Sequence, residues 1–269
     1  MITFPNAKIN LGLHILGKRS DGFHEIESCL YPIPLTDALE IIPSPALTYS
    51  SSGNAIPGAE ADNLILRAYQ LLANDFPEVS PVAVHLHKHI PIGAGLGGGS
   101  SDAAFALQTL NHMFDLALSD QKLAEYAGKL GSDCPFFIRN NPQLARGRGE
   151  MLEEVAVSLA GNWLFLVHPG IHVSTAEAYA GVRPGPATKK LADVLANPAS
   201  WKQELVNDFE KSIFANHPEI ARIKERLYLA GAWYAAMSGS GSAVVGLFAG
   251  EPKNLNFPSD YFCFSQQLS

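Results

Sequence analysis

Features that mark secreted, membrane and metal-binding proteins are sparse in this sequence. The three cysteines among 269 residues, Cys29, Cys134 and Cys263, are too few and too far apart for a disulfide framework or a zinc site. No apolar run approaches the length of a membrane-spanning helix, and the N-terminal residues lack a basic stretch followed by an apolar core. We therefore expect reduced thiols, a cytoplasmic location and no membrane partner.

Basic residues are also less frequent than acidic ones in this sequence. The sequence has 19 Lys and Arg against 26 Asp and Glu, a formal net charge of −7, which argues against the broad basic surface that nucleic acids require. A chain with 47% hydrophobic and 17% charged residues can build a large core, in one domain or in two smaller ones. Any polyanion that it binds must be held locally, by main-chain N–H groups and a few lysines.

Glycine is concentrated in one short stretch. Five of the seven residues at 93–99 are glycine, which costs backbone entropy unless the main chain must approach another group closely. The alternating pattern at 82–87 predicts a strand before this stretch, and Ala103, Leu107 and Leu110 predict a helix after it. Such a loop presents N–H groups and the positive end of a helix dipole, which suits a phosphate. The residues of this glycine segment are Pro91, Ile92, Gly93, Ala94, Gly95, Leu96, Gly97, Gly98, Gly99, Ser100 and Ser101.

Other known glycine-rich loops fit the segment less well. A Walker loop requires Lys after its last glycine, where this chain has Ser100. The first, second and fourth glycines match the dinucleotide-binding spacing, but residues 115–120 do not read as the second strand with an acidic end that this motif requires. The Val-Ala-Ile-Lys strand and His-Arg-Asp loop of protein kinases do not occur. A hydrolase elbow around Ser101 needs one tight turn, not five glycines, and the patterns on both sides argue against a flexible linker.

Strands and helices follow each other in mixed order along the chain, which predicts an α+β fold. Residues 43–61 are rich in Pro, Ser, Gly and Ala and predict a surface loop. Asp62 or Asn63 is the expected cap of the helix that follows. The other predicted elements are strands at 7–16, 25–34 and 163–167, helices that end at Gly131, begin at Ser174 or lie near 203–214 and 217–230, and a strand after a Gly-Ser turn at 237–242.

Single polar residues do not decide the function. Lys8 lies on the polar face of the strand predicted at 7–16, a pattern typical of a solvent-facing lysine. Asp133 follows a helix end, where a cap or turn aspartate is as ordinary as a catalytic one. Phe23 and His24 fit a surface loop.

Together, however, the motifs resemble the signatures of the GHMP kinases, in order and over nearly the whole chain. Asp-Gly-Phe-His at 21–24 and Gly-Ser-Asp-Cys-Pro-Phe-Phe at 131–137 resemble, more narrowly, the branch of this family that acts on a cytidine-linked alcohol. The glycine segment alone would indicate only the superfamily. The resembling segments are 5–11, 21–25, 91–103, 131–137, 147–150, 207–210 and 237–241.

The resemblance implies an α+β fold of two domains. Residues 1–155 would form an N-terminal domain similar to the second domain of ribosomal protein S5, with the ATP loop and the catalytic residues. Residues 156–269 would form a ferredoxin-like C-terminal domain.

The resemblance also implies a reaction. The chain would use ATP to phosphorylate the 2-hydroxyl of 4-(cytidine 5′-diphospho)-2-C-methyl-D-erythritol, giving the 2-phosphate and ADP, in the non-mevalonate pathway to isoprenoid precursors. Mg²⁺ would bind mainly through the nucleotide phosphates, with Ser100 or Ser101 within reach. The partners would be these small molecules, and the chain would be a monomer or a homodimer.

Roles follow from the same resemblance. Asp133 would be the general base, and Lys8 would hold that carboxylate and neutralise charge on the transferred phosphoryl group. Phe23 and Tyr179 would sandwich the cytosine, with His24 on the base edge. The glycine segment would bind the ATP phosphates. Further matched positions are Asn10 and Thr175 near the substrate, and Asn63 and Lys88 near the nucleotide.

Two other functions remain as alternatives. Another GHMP kinase, acting on mevalonate, homoserine or a sugar, would not need the aromatic residues Phe23 and Tyr179, because a small polyol offers no base to stack. A nucleotide-binding regulatory module without catalysis would not need the Lys8 and Asp133 pair.

Overall fold

A computed structural model describes residues 1–253 and 255–269 of the chain. These residues form two compact units, and each unit is discontinuous in sequence. Unit 1 consists of Met1–Ala7, Leu35–Ile92 and Gly97–Asn141. Unit 2 consists of Lys8–Pro34, Gly93–Leu96 and Pro142–Ser269.

Both helices and sheets occur throughout, as the predicted α+β class requires. The strands are β1 (Ile2–Thr3), β2 (Asn6–Lys18), β3 (His24–Thr36), β4 (Ala38–Pro43), β5 (Thr48–Gly53), β6 (Val82–Lys88), β7 (Gln143–Gly147), β8 (Met151–Glu154), β9 (Trp163–His168), β10 (Tyr234–Met237), β11 (Val244–Phe248) and β12 (Phe262–Gln267). The α-helices are α1 (Leu64–Asp75), α2 (Gly98–Met113), α3 (Asp120–Leu130), α4 (Phe136–Arg139), α5 (Thr175–Ala180), α6 (Leu191–Leu195), α7 (Trp201–Glu204), α8 (Glu210–Asn216) and α9 (Pro218–Leu229). Short 3₁₀ turns lie at Glu60–Asp62 and Pro198–Ser200.

Unit 1 packs helices on one sheet with the strand order β1-β4-β6-β5. In β6 the apolar side chains of Val82, Val84 and Leu86 are buried, because alternate residues of a strand share a face. Helix α2 contacts α1, α3 and α4, and its small residues are buried among them. The start of α2 is therefore held by neighbours on several sides.

One strand of unit 1 contradicts the surface loop predicted at 43–61. Thr48–Gly53 forms β5, which pairs in parallel with β6. The run Thr-Tyr-Ser-Ser-Ser has no apolar alternation because β5 is an edge strand with mostly exposed side chains. Its serines are satisfied across the sheet, since Ser50 and Ser52 hydrogen-bond to His85 at 2.8 and 3.0 Å.

Unit 2 contains two antiparallel sheets. One has the order β2-β3-β7-β8 and the other β10-β11-β9-β12. Numbered within the second sheet, this order is 2-3-1-4, which fits the ferredoxin-like expectation for the C-terminal part. Its core joins Phe165 and Val167 of β9 to Leu13 and Ile15 of β2.

Capping residues set several helix ends as the sequence predicted. The Asn63 side chain accepts a hydrogen bond from the Ile65 N–H at 2.9 Å and begins α1. Ser174 accepts from the Glu177 N–H at 3.1 Å and begins α5. Helix α3 ends at Leu130, with Gly131 as its C-cap. Side-chain oxygens at these starts satisfy N–H groups that the helix leaves without partners.

The single helix predicted near 203–214 is wrong, because the chain there forms α7 and α8 with a break between them. The break contains Asn207, whose amide donates to the carbonyls of Met237 and Gly239 at 2.8 Å each. Asn207 also accepts from the Phe209 N–H at 3.0 Å. These tertiary hydrogen bonds outweigh the helical pattern of the local sequence.

The predicted domain boundary at residue 155 stays a prediction, since the compact units do not divide the chain at one point. Among residues 1–253 and 255–269, no helix is long and apolar enough to cross a membrane.

Candidate functional site

Residues Gly93–Leu96 of the glycine segment belong to unit 2 and lie against the chain at 237–243. The Ser238 hydroxyl donates to the Gly95 carbonyl at 3.0 Å, and the Ala243 N–H donates to the Ala94 carbonyl at 3.2 Å. Gly95 has φ +77°, and a Cβ there would overlap the Ser238 carbonyl. The close approach that this glycine permits is thus to the protein's own main chain.

The second half of the glycine segment belongs to unit 1 and is the start of α2. Gly97 is the N-cap, with φ +71°, and no side chain caps the helix. By contrast, α1 and α3 each have a side-chain cap. The first-turn N–H groups of α2 therefore lack a side-chain acceptor among the described residues, and a helix start of this kind favours an anion.

Gly98 and Gly99 are glycine for different reasons. A Cβ at Gly98 would lie 2.9 Å from Lys88 Nζ and 3.0 Å from Ile90 Cγ2. At Gly99, no atom of the described chain beyond its own helix backbone and neighbours lies within 4 Å of that position. Gly99 is exposed, so the open space beside it is available to a bound molecule.

A buried cluster of charges lies beneath the start of α2. Lys88 Nζ donates to Asp37 Oδ2 at 2.5 Å and to Asp102 Oδ2 at 2.6 Å. The other Asp37 oxygen accepts from the N–H groups of His89 and Ile90 at 2.6 and 2.9 Å. Lys88 thus connects the chain that leaves β6 to the first turns of α2, and its predicted contact with the nucleotide stays a prediction.

Asp102 in this cluster is electrostatically unusual. Burial raises the pKa of its carboxyl to about 7, against the lowering effect of Lys88 and with a further raising effect from Asp37. In the described part of the chain, Asp102 Oδ1 and the neighbouring Ser101 Oγ are buried without a hydrogen-bond partner. Neither aspartate was selected from the sequence. No local pattern marks Asp37, whereas Asp102 directly follows the glycine segment, and that position was the available signal.

Lys8 is buried, with 4% of its surface exposed, so the solvent-facing interpretation is wrong. Its ammonium donates to Asn10 Oδ1 at 2.6 Å, and its main-chain N–H donates to the Leu96 carbonyl at 2.9 Å. Alternation along β2 could not reveal this, because residues on both faces of the strand are buried.

Asp133 lies half-buried in the turn at 132–135 that joins α3 to α4. The next residue, Cys134, is fully buried, and the side chain of Ser100, in the first turn of α2, lies near its thiol. Burial raises the pKa of this thiol to about 11, so it is inert as a nucleophile. The turn that carries Asp133 therefore lies beside the start of α2 within unit 1. That Lys8 holds the Asp133 carboxylate stays a prediction.

The aromatic residues predicted for the base pocket lie in unit 2. Thr175 and Tyr179 are four residues apart on α5 and share a face of that helix. The His24 ring stacks on the Tyr179 ring, with centroids 4.6 Å apart and planes at 20°. Phe23 is 54% exposed, and the Arg148 guanidinium lies 4.9 Å from its ring centroid. His24 therefore covers one face of Tyr179, and the predicted sandwich of Phe23 and Tyr179 around cytosine stays a prediction.

The remaining predicted residues have structural partners as well. Asn63 caps α1, and its role near the nucleotide stays a prediction. Within residues 1–253 and 255–269, no group of three or more His, Cys, Asp or Glu side chains is placed to hold a metal ion. Ser101 Oγ is buried without a hydrogen-bond partner among the described residues.

Known proteins were compared with the sequence and the fold. Residues 63–141 match the family model for the GHMP kinases N terminal domain, and residues 189–255 match the model for GHMP kinases C terminal. The 4-diphosphocytidyl-2-C-methyl-D-erythritol kinase of Cytophaga hutchinsonii is 54% identical over 258 residues, which cover 95% of each chain. The enzyme of the same name from Bacteroides fragilis is 50% identical over 275 residues, which cover 100% of each chain.

Solved structures agree with these relatives. The crystal structure of a 4-(cytidine 5′-diphospho)-2C-methyl-D-erythritol kinase superimposes with a TM-score of 0.77 at 33% identity, over 92% of this chain and 90% of that one. The mevalonate kinase of Methanococcus jannaschii superimposes with a TM-score of 0.68 at 16% identity, over 100% of this chain and 98% of that one, and shows the shared fold alone. With both domain models matched and half of all residues identical over whole chains, this chain belongs to the GHMP kinases and, within them, to the 4-diphosphocytidyl-2-C-methyl-D-erythritol kinase family.

Proposed function

We propose that the chain transfers the γ-phosphoryl group of ATP to the 2-hydroxyl of 4-(cytidine 5′-diphospho)-2-C-methyl-D-erythritol. The products are the 2-phosphate and ADP, as in the non-mevalonate route to isoprenoid precursors. The choice of substrate rests on the sequence identity of 54% and 50% with two relatives of that name, over 95% and 100% of this chain. Relatives named for mevalonate share only the fold at 16% identity, so they do not favour a second substrate.

The nucleotide phosphates bind at the uncapped start of α2 in this proposal. The support is the free first turn, the absence of acidic residues from it and the open space beside Gly99. Main-chain N–H groups held in place by the fold stabilise charge without reorganising during the reaction. A net-negative chain can bind a polyanion in this way because the positive potential is confined to one helix end.

We expect Mg²⁺ to bind at this site together with the nucleotide. Mg²⁺ prefers oxygen ligands and keeps substrate phosphates and water in its coordination shell. The hydroxyl of Ser100 or Ser101 is the protein oxygen proposed to reach the ion, and the nucleotide phosphates and water supply the other ligands. The ion would neutralise phosphate charge, while the chain's own residues position the reactants.

Asp133 is the proposed general base and Lys8 the proposed cation for the transferred group. Asp133 is suitable because its turn lies beside the start of α2, where Ser100 is near the thiol of Cys134. A carboxylate that stays ionised is a weak base, which suffices because phosphoryl transfer depends more on positioning and charge stabilisation than on strong deprotonation. Lys8 is suitable because burial and its bond to Asn10 fix the ammonium.

The cytidine end is assigned to unit 2. Phe23 offers an exposed ring for stacking, which is worth on the order of 1–3 kcal/mol per base. His24 and Tyr179 supply a polar edge and a second ring, and His24 must leave the Tyr179 face if the base is to stack there. Asn10 and Thr175 are the proposed polar contacts to the rest of the substrate.

An acceptor panel tests the proposal. Purified protein with Mg²⁺ and ATP is expected to phosphorylate the cytidine-linked alcohol, and to leave methylerythritol without its cytidine diphosphate, mevalonate and homoserine unreacted. ADP release and phosphorus NMR of the product measure this. Equal or faster turnover of mevalonate or homoserine would overturn the substrate.

Asp133→Asn tests the proposed base. We expect kcat to fall by roughly 10²–10⁴-fold, while the Kd for ATP, measured by calorimetry, is unchanged. Glu125→Gln, an exposed carboxylate on α3, is the matched control and keeps full kcat. If Asp133→Asn weakened ATP binding as much as it slowed turnover, Asp133 would be structural and not the base.

A further inference from the structure

A chain of buried hydrogen bonds leads from Lys8 into β3. Lys8 Nζ donates to Asn10 Oδ1 at 2.6 Å, and Asn10 Nδ2 donates to Ser28 Oγ at 2.8 Å. Ser28 Oγ in turn donates to the Gly12 carbonyl at 2.6 Å. Lys8 and Asn10 are 4% and 5% exposed and Ser28 is fully buried, so water does not compete for these bonds.

The direction of each hydrogen bond in this series is set by the Gly12 carbonyl, at the end opposite Lys8. The Gly12 carbonyl can only accept, so Ser28 must give its single hydroxyl proton to it. Toward Asn10, Ser28 can then only accept. Asn10 must therefore turn its NH₂ group to Ser28 and its oxygen to Lys8.

The opposite amide orientation would be costly. It would place Asn10 Nδ2 against the Lys8 ammonium, two donors facing each other, and Asn10 Oδ1 against Ser28 Oγ, two acceptors. Buried polar groups left without partners cost about 1–3 kcal/mol each. Ser28 thus selects the one orientation of Asn10 in which its oxygen holds Lys8.

The backbone around this chain is fixed independently. The Asn10 N–H donates to Ser238 Oγ at 3.2 Å, which holds the main chain of β2. Gly12 has φ +69°, and a Cβ there would lie 2.8 Å from a methyl of Leu205 and 2.9 Å from one of Leu191. The Gly12 carbonyl that receives the Ser28 proton is therefore held in a conformation that only glycine provides.

We propose that Ser28 is a positioning residue for phosphoryl transfer: by accepting from Asn10 and donating to Gly12, it orients the Asn10 amide, which holds the Lys8 ammonium. This inference rests on the proposed function, because it takes Lys8 as the cation for the transferred group. Ser28 itself touches neither substrate. A small displacement of the Lys8 ammonium is enough to slow a reaction that depends on the alignment of its groups.

Ser28→Ala tests the role of the hydroxyl. We expect kcat with the cytidine-linked alcohol to fall by roughly 10- to 100-fold, with the KM for ATP within about twofold of the wild-type value. Ser28→Cys, which keeps one proton and two weaker acceptor sites, is expected to recover part of the lost kcat. Cys29→Ala removes an equally buried side chain from the next position of β3 and is the control; it lowers Tm but keeps kcat.

A double-mutant comparison separates positioning from general packing. In an Asn10→Ala background, Ser28→Ala is expected to change kcat by less than about twofold, because the group that it orients is gone. Full wild-type kcat in Ser28→Ala, or equal loss of kcat in both backgrounds, would overturn the proposal. If Ser28→Ala does not fold, Ser28→Cys decides: the weaker hydrogen bonds of the thiol are expected to lower kcat below the wild-type value, and wild-type kcat in this variant with thermal unfolding unchanged would overturn the proposal.

Failure of the underlying function is measured separately. In Lys8→Met, kcat is expected to fall by at least as much as in Ser28→Ala. Adding Ser28→Ala to Lys8→Met should not lower kcat further. Full turnover by Lys8→Met would overturn the role of Lys8 whatever Ser28 does. Loss of kcat in Lys8→Met with none in Ser28→Ala would leave the proposed function standing and overturn only the positioning role.

Discussion

At the scale of single residues, the two lysines of the candidate site are both buried. Lys8 and Lys88 are each 4% exposed, which is rare for lysine unless its charge is compensated. Lys88 faces two carboxylates, Asp37 and Asp102, so its cluster holds one more acidic group than basic ones. Burial is the main cause of the raised pKa of Asp102, and the negative charge of Asp37 raises this pKa further.

Asp102 should make the stability of the protein depend on pH. Burial raises its pKa from 3.8 to about 7, so between these values the folded state keeps a proton that the unfolded state releases. The free energy of unfolding therefore falls as the pH rises through this window. Asp102→Asn removes the titration, and we expect the variant to gain on the order of 2 kcal/mol over the wild type between about pH 5 and about pH 8.

Urea unfolding of both proteins at the two pH values measures this difference. Glu78→Gln, which removes an exposed carboxylate of unit 1, is the control and should follow the pH dependence of the wild type. Parallel pH dependences of Asp102→Asn and the wild type would show that Asp102 titrates normally.

At the residue scale, the sequence indicated candidate residues, whose roles stay predictions, but not the surroundings of those residues. Lys8, Asp133 and Ser100 were identified through their motifs. Ser28 was not identified, because it contacts Asn10 only once β2 and β3 have paired. The local sequence does not indicate that this serine orients the amide of another residue. Burial of Lys8 was missed for the same reason, since period-two alternation does not show that both faces of a strand are covered.

At the scale of elements, the glycine segment connects the packed loop at 93–96 to the start of α2, which has no side-chain cap. Gly95 and Gly98 are required by neighbouring protein atoms, whereas the space beside Gly99 is open. The sequence predicted one cause for all five glycines, a close approach to a ligand. The structure gives different causes for Gly95 and Gly98, and a close approach to a ligand stays a prediction for Gly99.

Gly99→Ala should separate folding from nucleotide binding. Alanine in a helix is favoured over glycine by about 1 kcal/mol, and no protein atom obstructs the methyl group, so the free energy of unfolding should stay equal or rise. The methyl group occupies the space proposed for the phosphates, so the Kd for ATP should rise by about tenfold or more, equivalent to about 1.4 kcal/mol. Chemical unfolding and calorimetry measure the two quantities.

Two other glycines are the controls for this experiment. Gly128→Ala on α3, where the nearest contact is an ordinary 3.9 Å to Pro135, should stabilise the protein and leave the Kd for ATP unchanged. Gly95→Ala should destabilise it, because φ is +77° and the Ser238 carbonyl blocks the methyl group. Unchanged ATP affinity in Gly99→Ala would place the phosphates elsewhere.

Elements with a strong local signal were predicted and those made by tertiary contacts were not. The caps at Asn63 and Ser174 and the stop at Gly131 act within one turn, so the sequence alone identifies them. β5 is polar and exists because β6 offers a free edge, and the break at Asn207 exists because the turn at 237–239 needs its amide. Neither partner lies near in sequence.

At the scale of the whole molecule, the two compact units interleave along the chain. β2 and β3 begin or end in unit 1 but contribute most of their residues to unit 2. The fold class and the family were predictable because the motifs recur in order along the chain. The division into units was not, because a boundary in sequence assumes that each domain is one continuous piece.

The interleaving predicts that residues 156–269 do not fold alone, although they correspond to the predicted C-terminal domain. Leu13 and Ile15 complete the core around Phe165 and Val167, and the Ile15 N–H donates to Asp208 Oδ2 at 2.8 Å. The isolated fragment would expose this core and leave these bonds unmade. We expect no cooperative thermal transition and weak near-ultraviolet circular dichroism, the behaviour of a chain without fixed packing.

The complementary fragment provides the control. When residues 1–155 are co-expressed with 156–269, the missing strands are supplied in trans, and a cooperative transition with turnover of the cytidine-linked alcohol should return. A cooperative transition from 156–269 by itself would instead make residue 155 a true folding boundary. In that case the contributions of β2 to unit 2 would be additions to a core that is already stable.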